Sequence, residues 1–295
     1  MQAGPSTGPG DHHDVEPGSG AMSSEDFESR EIDATRPSAA RMYHYYLSGE
    51  AVFDVDKVFG ERVFQTIPYL DVIAHHNREF LQRATKFMVA QGIRQFLDIG
   101  SGLPTVGNTH EVAGALAPGS RVVYVDNDLE AVNRAHELLT EQDALDHTAI
   151  IEADLRVPDV ILDHPDTRRL IDFDEPVGLL IVSVWPFVPD SDRPTELMAR
   201  LREALPTGSY VGMSHASMSE VSAELTARMA AFVDLYKETS DPATMRSREE
   251  FASFYEGLEL VEPGIVYAVD WRPEQPGDPQ DPARPCNFAA VGYKG

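Results

Sequence analysis

Apolar and polar positions alternate in two different rhythms along this chain, and the change of rhythm falls near Gly92. Before it, apolar residues recur at helical spacing. The stretch "LDVIAHHNREFLQRATKFMVAQ" carries Val72, Phe80, Leu81, Ala84, Phe87 and Met88 at helical spacings, with Gly92 as its C-cap. The aromatic-rich "RMYHYYLSGE", closed by Gly49, and "VDKVFGERVFQTI", broken by Pro68, predict two more helices upstream. After Gly92, short continuous apolar runs take turns with amphipathic segments. The strands predicted are "IRQFLDIG", "RVVYVDND", "TAIIEADLR", "VGLLIVSVWPFV" and "GSYVGMSHAS". Between them lie the helices "THEVAGALA", "LEAVNRAHELLTEQ", a helical segment around 158–171, and "RPTELMARLREALP". A long helix through "SEVSAELTARMAAFVDLYKET" and another in "SREEFASFYEGL" follow. Two late strands, "GIVYAVDW" and "CNFAAVGYK", then flank a Pro-rich loop without a helix between them.

Continuous apolar strands separated by helices indicate an α/β fold with a mainly parallel sheet covered on both faces. The last two strands, lacking a crossover helix, are expected to pair as an antiparallel hairpin at the sheet edge. Residues 1–36 are rich in Gly, Pro, Ser, Asp and Glu, and are expected to be a disordered acidic tail. Residues 37–90 then read as an N-terminal helical lid, and 91–295 as the α/β domain.

Charge narrows the partners. Acidic residues number 49 against 24 Lys plus Arg, giving a formal net charge of -25. Such a chain repels nucleic acid and anionic lipid, so neither is expected as a partner. No apolar run approaches the roughly 20 residues of a membrane span, and no secretory signal pattern stands at the N-terminus. The expectation is a soluble cytoplasmic protein. The one cysteine, Cys286, allows no intrachain disulfide and reads as a small buried apolar residue. No metal site is expected.

The chemistry centres on "FLDIGSGLPTVGN", residues 96–108, where a strand breaks into a glycine turn. Ligands in open α/β sheets bind beyond the carboxyl ends of the strands, and glycine lets a ligand approach the backbone closely. The turn lacks the Gly-Lys-Ser/Thr ending of a phosphate-binding P-loop. A dinucleotide fingerprint would place glycine at 105, where Thr105 stands. The second strand ends in Asp126, 26 residues after Gly100, where a carboxylate can accept both hydroxyls of a ribose. The third ends in Asp154 and Leu155, placed to meet an adenine amine and offer backbone groups. A carboxylate at the position of Asp126 occurs in both nicotinamide and S-adenosylmethionine sites.

"LDIGSGLP", "VVYVDND" and "EADLR", followed by two closing strands, resemble the Rossmann-like class I S-adenosylmethionine-dependent methyltransferases. More narrowly, "RMYHYYLSG", "HNREFLQRA", "GIRQFLDIGSGLPT" and "NTHEVA" resemble a bacterial family of such methyltransferases whose substrates are unknown. The resemblance spans about 36–295 and implies a seven-stranded sheet with its last strand antiparallel, with S-adenosylmethionine as cofactor. Pro104 stands where the wider class has a third glycine. The expected cofactor-binding set is Asp98, Gly100, Ser101, Gly102, Asp126, Asn127, Asp154 and Leu155, with Asn77 and Arg78 reaching the cofactor carboxylate from above.

Catalytic candidates are fewer. Related family members often carry a histidine where this chain has Trp185, so Trp185 is expected to wall the methyl-transfer site rather than supply a base. His215, following the fifth strand, is a candidate base in the same cleft. Tyr43, with Tyr46 on the same helix, is expected to touch a small-molecule substrate. The readings to separate are a methyltransferase, a cofactor-binding regulator without transferase activity, and a nicotinamide oxidoreductase.

Overall fold

The computed structural model describes Met1, residues 32–217, Ser219 and residues 221–295. The expected acidic tail lies outside the described residues up to position 31. Its last part is held in place: the Arg36 guanidinium donates to the Thr239 carbonyl at 2.6 Å, and Arg41 to that of Asp33 at 3.3 Å. Residues 33–295 cluster as one compact unit.

Three helices come first, as the periodicity predicts: α1 (Ala39–Ser48), α2 (Asp54–Thr66) and α3 (Leu70–Ala90). Ser38 caps α1 by accepting the Arg41 N–H, and Gly49 ends it in the left-handed region. The buried stripe of α3 runs through Leu70, Ile73, Ala74, Asn77, Phe80, Leu81, Ala84 and Met88. Val72, expected in that stripe, is 37% exposed, because the helical turn carries the buried face through Leu70 and Ile73 and leaves the position between them outward.

The alternating part follows: β1 (Gln95–Ile99), α4 (Thr109–Leu116), β2 (Arg121–Asp126), α5 (Leu129–Glu141) and β3 (Thr148–Glu152). Then come α6 (Pro158–Asp163), α7 (Pro165–Leu170), β4 (Gly178–Val182), α8 (Pro194–Ala204) and β5 (Tyr210–Ala216). The chain ends with α9 (Ala223–Tyr236), α10 (Arg248–Ser253), β6 (Glu259–Leu260), β7 (Val266–Tyr267) and β8 (Asn287–Tyr293).

The sheet order is β3-β2-β1-β4-β5-β8-β6, with β7 also pairing with β8. Strands β1 to β5 are parallel, and β8 runs antiparallel to β5 over seven residue pairs, Tyr210↔Tyr293 to Ala216↔Asn287. The short β6 and β7 share the far side of β8, so the sheet has seven lateral positions. The expected pairing of the two late segments is present as Val266↔Ala289 and Tyr267↔Phe288. It stops there because the first segment turns into a 3-10 helix at Ala268–Asp270. The closing strand is therefore interior, and the two-residue strands form the edge.

Side-chain alternation splits the core. Leu97 and Ile99 of β1 pack with the α8 and α10 face, and Phe96 packs against Phe80, Ala84 and Met88 of α3. A third cluster joins α1, α2 and α3 to α9 through Met42, Tyr46, Phe59, Ile73, Phe232 and Tyr236. It lies over the carboxyl ends of the parallel strands, where the functional residues converge.

Candidate cofactor and acceptor site

The parallel arrangement brings the ends of β1 to β4 to one edge of the sheet. A cavity of about 190 Å³ opens there. Asp98, Gly100, Ser101, Gly102, Asp126, Asn127, Asp154 and Leu155 line it from the strand tips, with Arg78 and Tyr43 from the helices.

Both glycines have positive φ, 71° at Gly100 and 66° at Gly102, for different reasons. A Cβ on Gly100 would sit 2.2 Å from Val184 Cγ2, so the loop after β4 packs directly on this backbone. A Cβ on Gly102 would meet nothing within 4 Å. The amides of Gly100 and Ser101 both donate to the Val125 carbonyl, at 2.7 and 3.1 Å, which draws the turn over the tip of β2. The Gly102 amide donates to Asp126 Oδ2 at 2.7 Å, and the Asp128 amide to Oδ1 at 2.9 Å. After Pro104 the chain runs on to Asn108 before α4 begins. Glu111 fixes that start by accepting the Gly107 and Asn108 amides at 2.9 and 2.8 Å.

Burial governs the charges here. It pushes the Asp126 carboxyl up to about 7, against the partial relief of its two backbone amides. It pushes Asp98 up to about 6, although Thr109 donates to it at 2.6 Å and Arg78 stands nearby. Both are poised to gain from a ligand that brings hydrogen-bond donors or positive charge. Asp154 differs. Burial pushes it up, but the Arg156 guanidinium, on both carboxylate oxygens at 2.9 and 3.0 Å, outweighs this and holds it below its ordinary value. Asp154 lines the cavity with its charge already paired.

The residues fit an adenosyl cofactor bearing an amino-acid tail. Each Asp126 oxygen keeps a lone pair for a hydroxyl beyond its one amide bond. Ser101 Oγ and Arg78 Nε are buried at this turn with no hydrogen-bond partner, and a buried polar group left so costs about 1–3 kcal/mol.

Three expected site residues lie elsewhere. Asn77 is buried off the cavity as a tie. Its amide nitrogen donates to Tyr43 Oη at 3.0 Å, and its oxygen accepts the Ser214 hydroxyl. Ser214 in turn accepts the Ser183 amide at 3.0 Å, fixing Ser183 with φ of 61° at the end of β4. Trp185, expected as a wall of the site, does not line the cavity. It is fully buried, stacks on Phe254 with centroids 4.7 Å apart, and donates its indole N–H to Met213 Sδ at 3.2 Å. His215 does not reach the cleft either. Its Nδ1 bonds the Ala216 carbonyl, and its Nε2 takes a hydrogen bond from Arg246 at 3.0 Å. Burial drives its pKa down to about 3, so it is a neutral structural imidazole. The cause is parity along β5: Ser214 faces α3 and the cavity side, and the next residue faces Phe251 and Phe254.

Arg246, not singled out from the sequence, organises the loop after β4. It donates to the carbonyls of Trp185 and Val188, both at 2.8 Å, and to Asp190 at 2.6 Å. That loop supplies Pro186, Phe187 and Val188 to the cavity wall. Much of the opposite wall is apolar, with Tyr46, Leu70, Ile73, Phe232 and Tyr236 from the helices and Met245 from the loop before α10. Phe232 and Tyr236 were hidden because the apolar face of α9 reads as ordinary core. Among the described residues no group of three His, Cys, Asp or Glu is placed to hold a metal, and no helix is long and apolar enough to cross a membrane.

Strand order, antiparallel last strand and a cavity over the β1 glycine turn define a Rossmann-like, cofactor-dependent methyltransferase architecture. The chain belongs to the S-adenosyl methyltransferase family, whose model matches residues 25–295. Among solved structures it is similar to a Streptomyces avermitilis protein of the DUF574 family. The two are 36% identical with a TM-score of 0.82, over 90% of this chain and 100% of that one. It is also similar to a Thermobifida fusca protein described as a methyltransferase, 35% identical with a TM-score of 0.81, over 89% and 96% of the two chains. No curated protein matches. The cofactor is S-adenosylmethionine, which sets aside the nicotinamide reading.

Proposed function

We propose that the chain methylates a small organic acceptor held between the glycine turn and the wall formed by α1, α3 and α9. The observation that carries this reading is that one cavity joins two unlike halves, one of polar strand tips and one of mainly apolar side chains. Asp126 and Asn127 would hold the ribose, Asp154 and Leu155 the adenine, and Asp98, Ser101 and Arg78 the amino-acid tail. When bound, S-adenosylmethionine supplies an electrophilic methyl group on a sulfonium centre.

The protein's contribution is alignment and exclusion of water. Val184, packed on Gly100, fixes the distance between the β4 loop and the turn. The Ser183–Ser214–Asn77–Tyr43 hydrogen-bond chain fixes α1 and α3 against that loop. Asp241, at the helical side, accepts the Ala39 amide at 2.9 Å and the Ser240 hydroxyl at 2.6 Å, both on Oδ2.

Titration of the full chain with S-adenosylmethionine and S-adenosylhomocysteine, followed by mass-spectrometric detection of methylated products from a small-molecule panel, tests this. Gly102→Val places a branched side chain in the open space and is expected to weaken both ligands at least tenfold. Unaltered affinities would remove the cofactor from this turn.

A further inference from the structure

Tyr46 of α1 and Tyr236 of α9 meet across the helical wall, with their hydroxyl oxygens 2.9 Å apart. Both residues line the cavity, and they are 5% and 2% exposed. Two phenols carry two protons, and one hydrogen bond between them uses only one. Neither oxygen has another hydrogen-bond partner among the described residues. One O–H is therefore left over, buried at the wall of the cavity. A buried donor without a partner is costly, so the pair gains from a ligand atom that accepts.

The surroundings define the rest of that ligand. Phe232 lies 4.3 Å from the Tyr236 ring at 35°, and Phe187 lies 5.8 Å from it at 31°. Ile73 and Leu70 complete an apolar, partly aromatic surface suited to a flat ring system. The two cations lining the cavity, Arg78 and Arg156, stand at the strand-tip side, bonded to Asn108 and Asp154. An anionic ligand on the helical side would face Asp241 with no compensating charge. Asp241 holds its two neutral donors on Oδ2 and leaves Oδ1 open, but an ammonium ligand brings donors alone and would leave the spare O–H of the tyrosine pair without an acceptor.

We propose that the methyl acceptor is a neutral, ring-containing molecule, and that the Tyr46–Tyr236 pair selects it by donating its spare hydrogen bond to an oxygen on that ring system. This rests on the methyltransferase reading of the cavity above and names its substrate class. Burial raises the pKa of both phenols, so both stay protonated at neutral pH and act as donors, not bases.

The test uses the full chain saturated with S-adenosylhomocysteine and four probes: 1-naphthol, naphthalene, 1-naphthoate and 1-naphthylmethylammonium. In the native protein 1-naphthol is expected to bind about tenfold more tightly than naphthalene, the worth of one good hydrogen bond. It should also bind more tightly than either charged probe. The proton count adds a second expectation. Tyr46→Phe or Tyr236→Phe alone still leaves one hydroxyl proton for the ligand, so each should weaken 1-naphthol only about threefold. The double variant has no donor and should bind 1-naphthol no better than naphthalene, with S-adenosylhomocysteine affinity unchanged. Equal affinity of native protein for 1-naphthol and naphthalene overturns the proposal, and that comparison needs no variant. So does preference for a charged probe, absence of binding by both neutral rings, or a double variant that still prefers 1-naphthol. Failure of the native chain to bind S-adenosylhomocysteine instead removes the underlying methyltransferase site.

Discussion

Replacing Asp126 with asparagine keeps the shape of a buried side chain and removes its ability to ionise. Asp126 is 5% exposed and accepts one backbone amide on each oxygen. Its pKa in the folded chain is raised to about 7 from an ordinary 3.8. The folded state therefore holds a proton that the unfolded state has lost across that window, and stability falls as pH rises through it. At about 1.36 kcal/mol per unit, the three units amount to about 4 kcal/mol, complete above about pH 7. Asparagine carries no such penalty. It can accept one of the two amides but turns a donor toward the other, a pH-independent loss of about 1–3 kcal/mol. Two of the three units lie above pH 5, so from pH 5 to pH 8 the variant should gain about 3 kcal/mol relative to the native chain. Urea denaturation of both proteins at the two pH values reads this directly. Cofactor binding should move the other way. Hydrogen bonds to a carboxylate contribute about 1.5–3 kcal/mol, so S-adenosylhomocysteine should bind the variant at least about tenfold more weakly at pH 8. Stability curves that run parallel, or equal affinities, would refute the placement of an ionisable ribose acceptor at this strand tip.

Three further outcomes are expected. Gly100→Ala forces a left-handed residue, costing about 1–2 kcal/mol, and drives a Cβ to 2.2 Å from Val184. In urea melts it should destabilise clearly more than Gly102→Ala, which pays the backbone term alone. Arg246→Met strips hydrogen bonds from the Trp185 and Val188 carbonyls and, at about 1–3 kcal/mol for each buried group left unpaired, should cost about 2–6 kcal/mol in the same assay. Little of that comes from its ion pair with Asp190, a residue 76% exposed. The pKa of His215 is depressed to about 3, so its stabilising contribution is present above about 6.5 and lost as pH falls toward 3. NMR should show its imidazole neutral at pH 5, and His215→Asn should leave S-adenosylhomocysteine affinity unchanged.

The strands and the glycine turn could be read from residue order because a parallel sheet buried on both faces needs continuous apolar runs, and such runs survive in any context. Asp98, Asp126 and Asp154 were legible for the same reason: a polar residue ending an apolar strand marks its tip. Which face a residue takes beyond that tip was not legible. Ser214 and His215 are adjacent in sequence, and only the pairing of β5 with β8 decides that Ser214 meets Asn77 while His215 enters the opposite core. Trp185 misled similarly, since a 3-10 turn after β4 swings it onto Phe254. The apolar wall was invisible as a site because Phe232 and Tyr236 lie about 190 residues after Tyr46, and nothing local distinguishes a helix face that borders a cavity from one that fills a core.

Asp128 links the two halves of the cavity. Its Oδ1 caps α5, accepting the amides of Glu130 and Ala131 at 2.9 and 3.3 Å. Its Oδ2 takes the Ser38 hydroxyl and lies 3.6 Å from Arg41 Nη1, at the start of α1. The turn that presents Asp126 is thus bolted to the helix that presents Tyr43 and Tyr46. Under the binding proposed above, a cofactor that shifted this turn would pull on the opposite wall through Asp128, so that cofactor and acceptor would sense each other without touching. Thermodynamic reciprocity then makes the factor by which the first alters the second's affinity equal to the factor by which the second alters the first's.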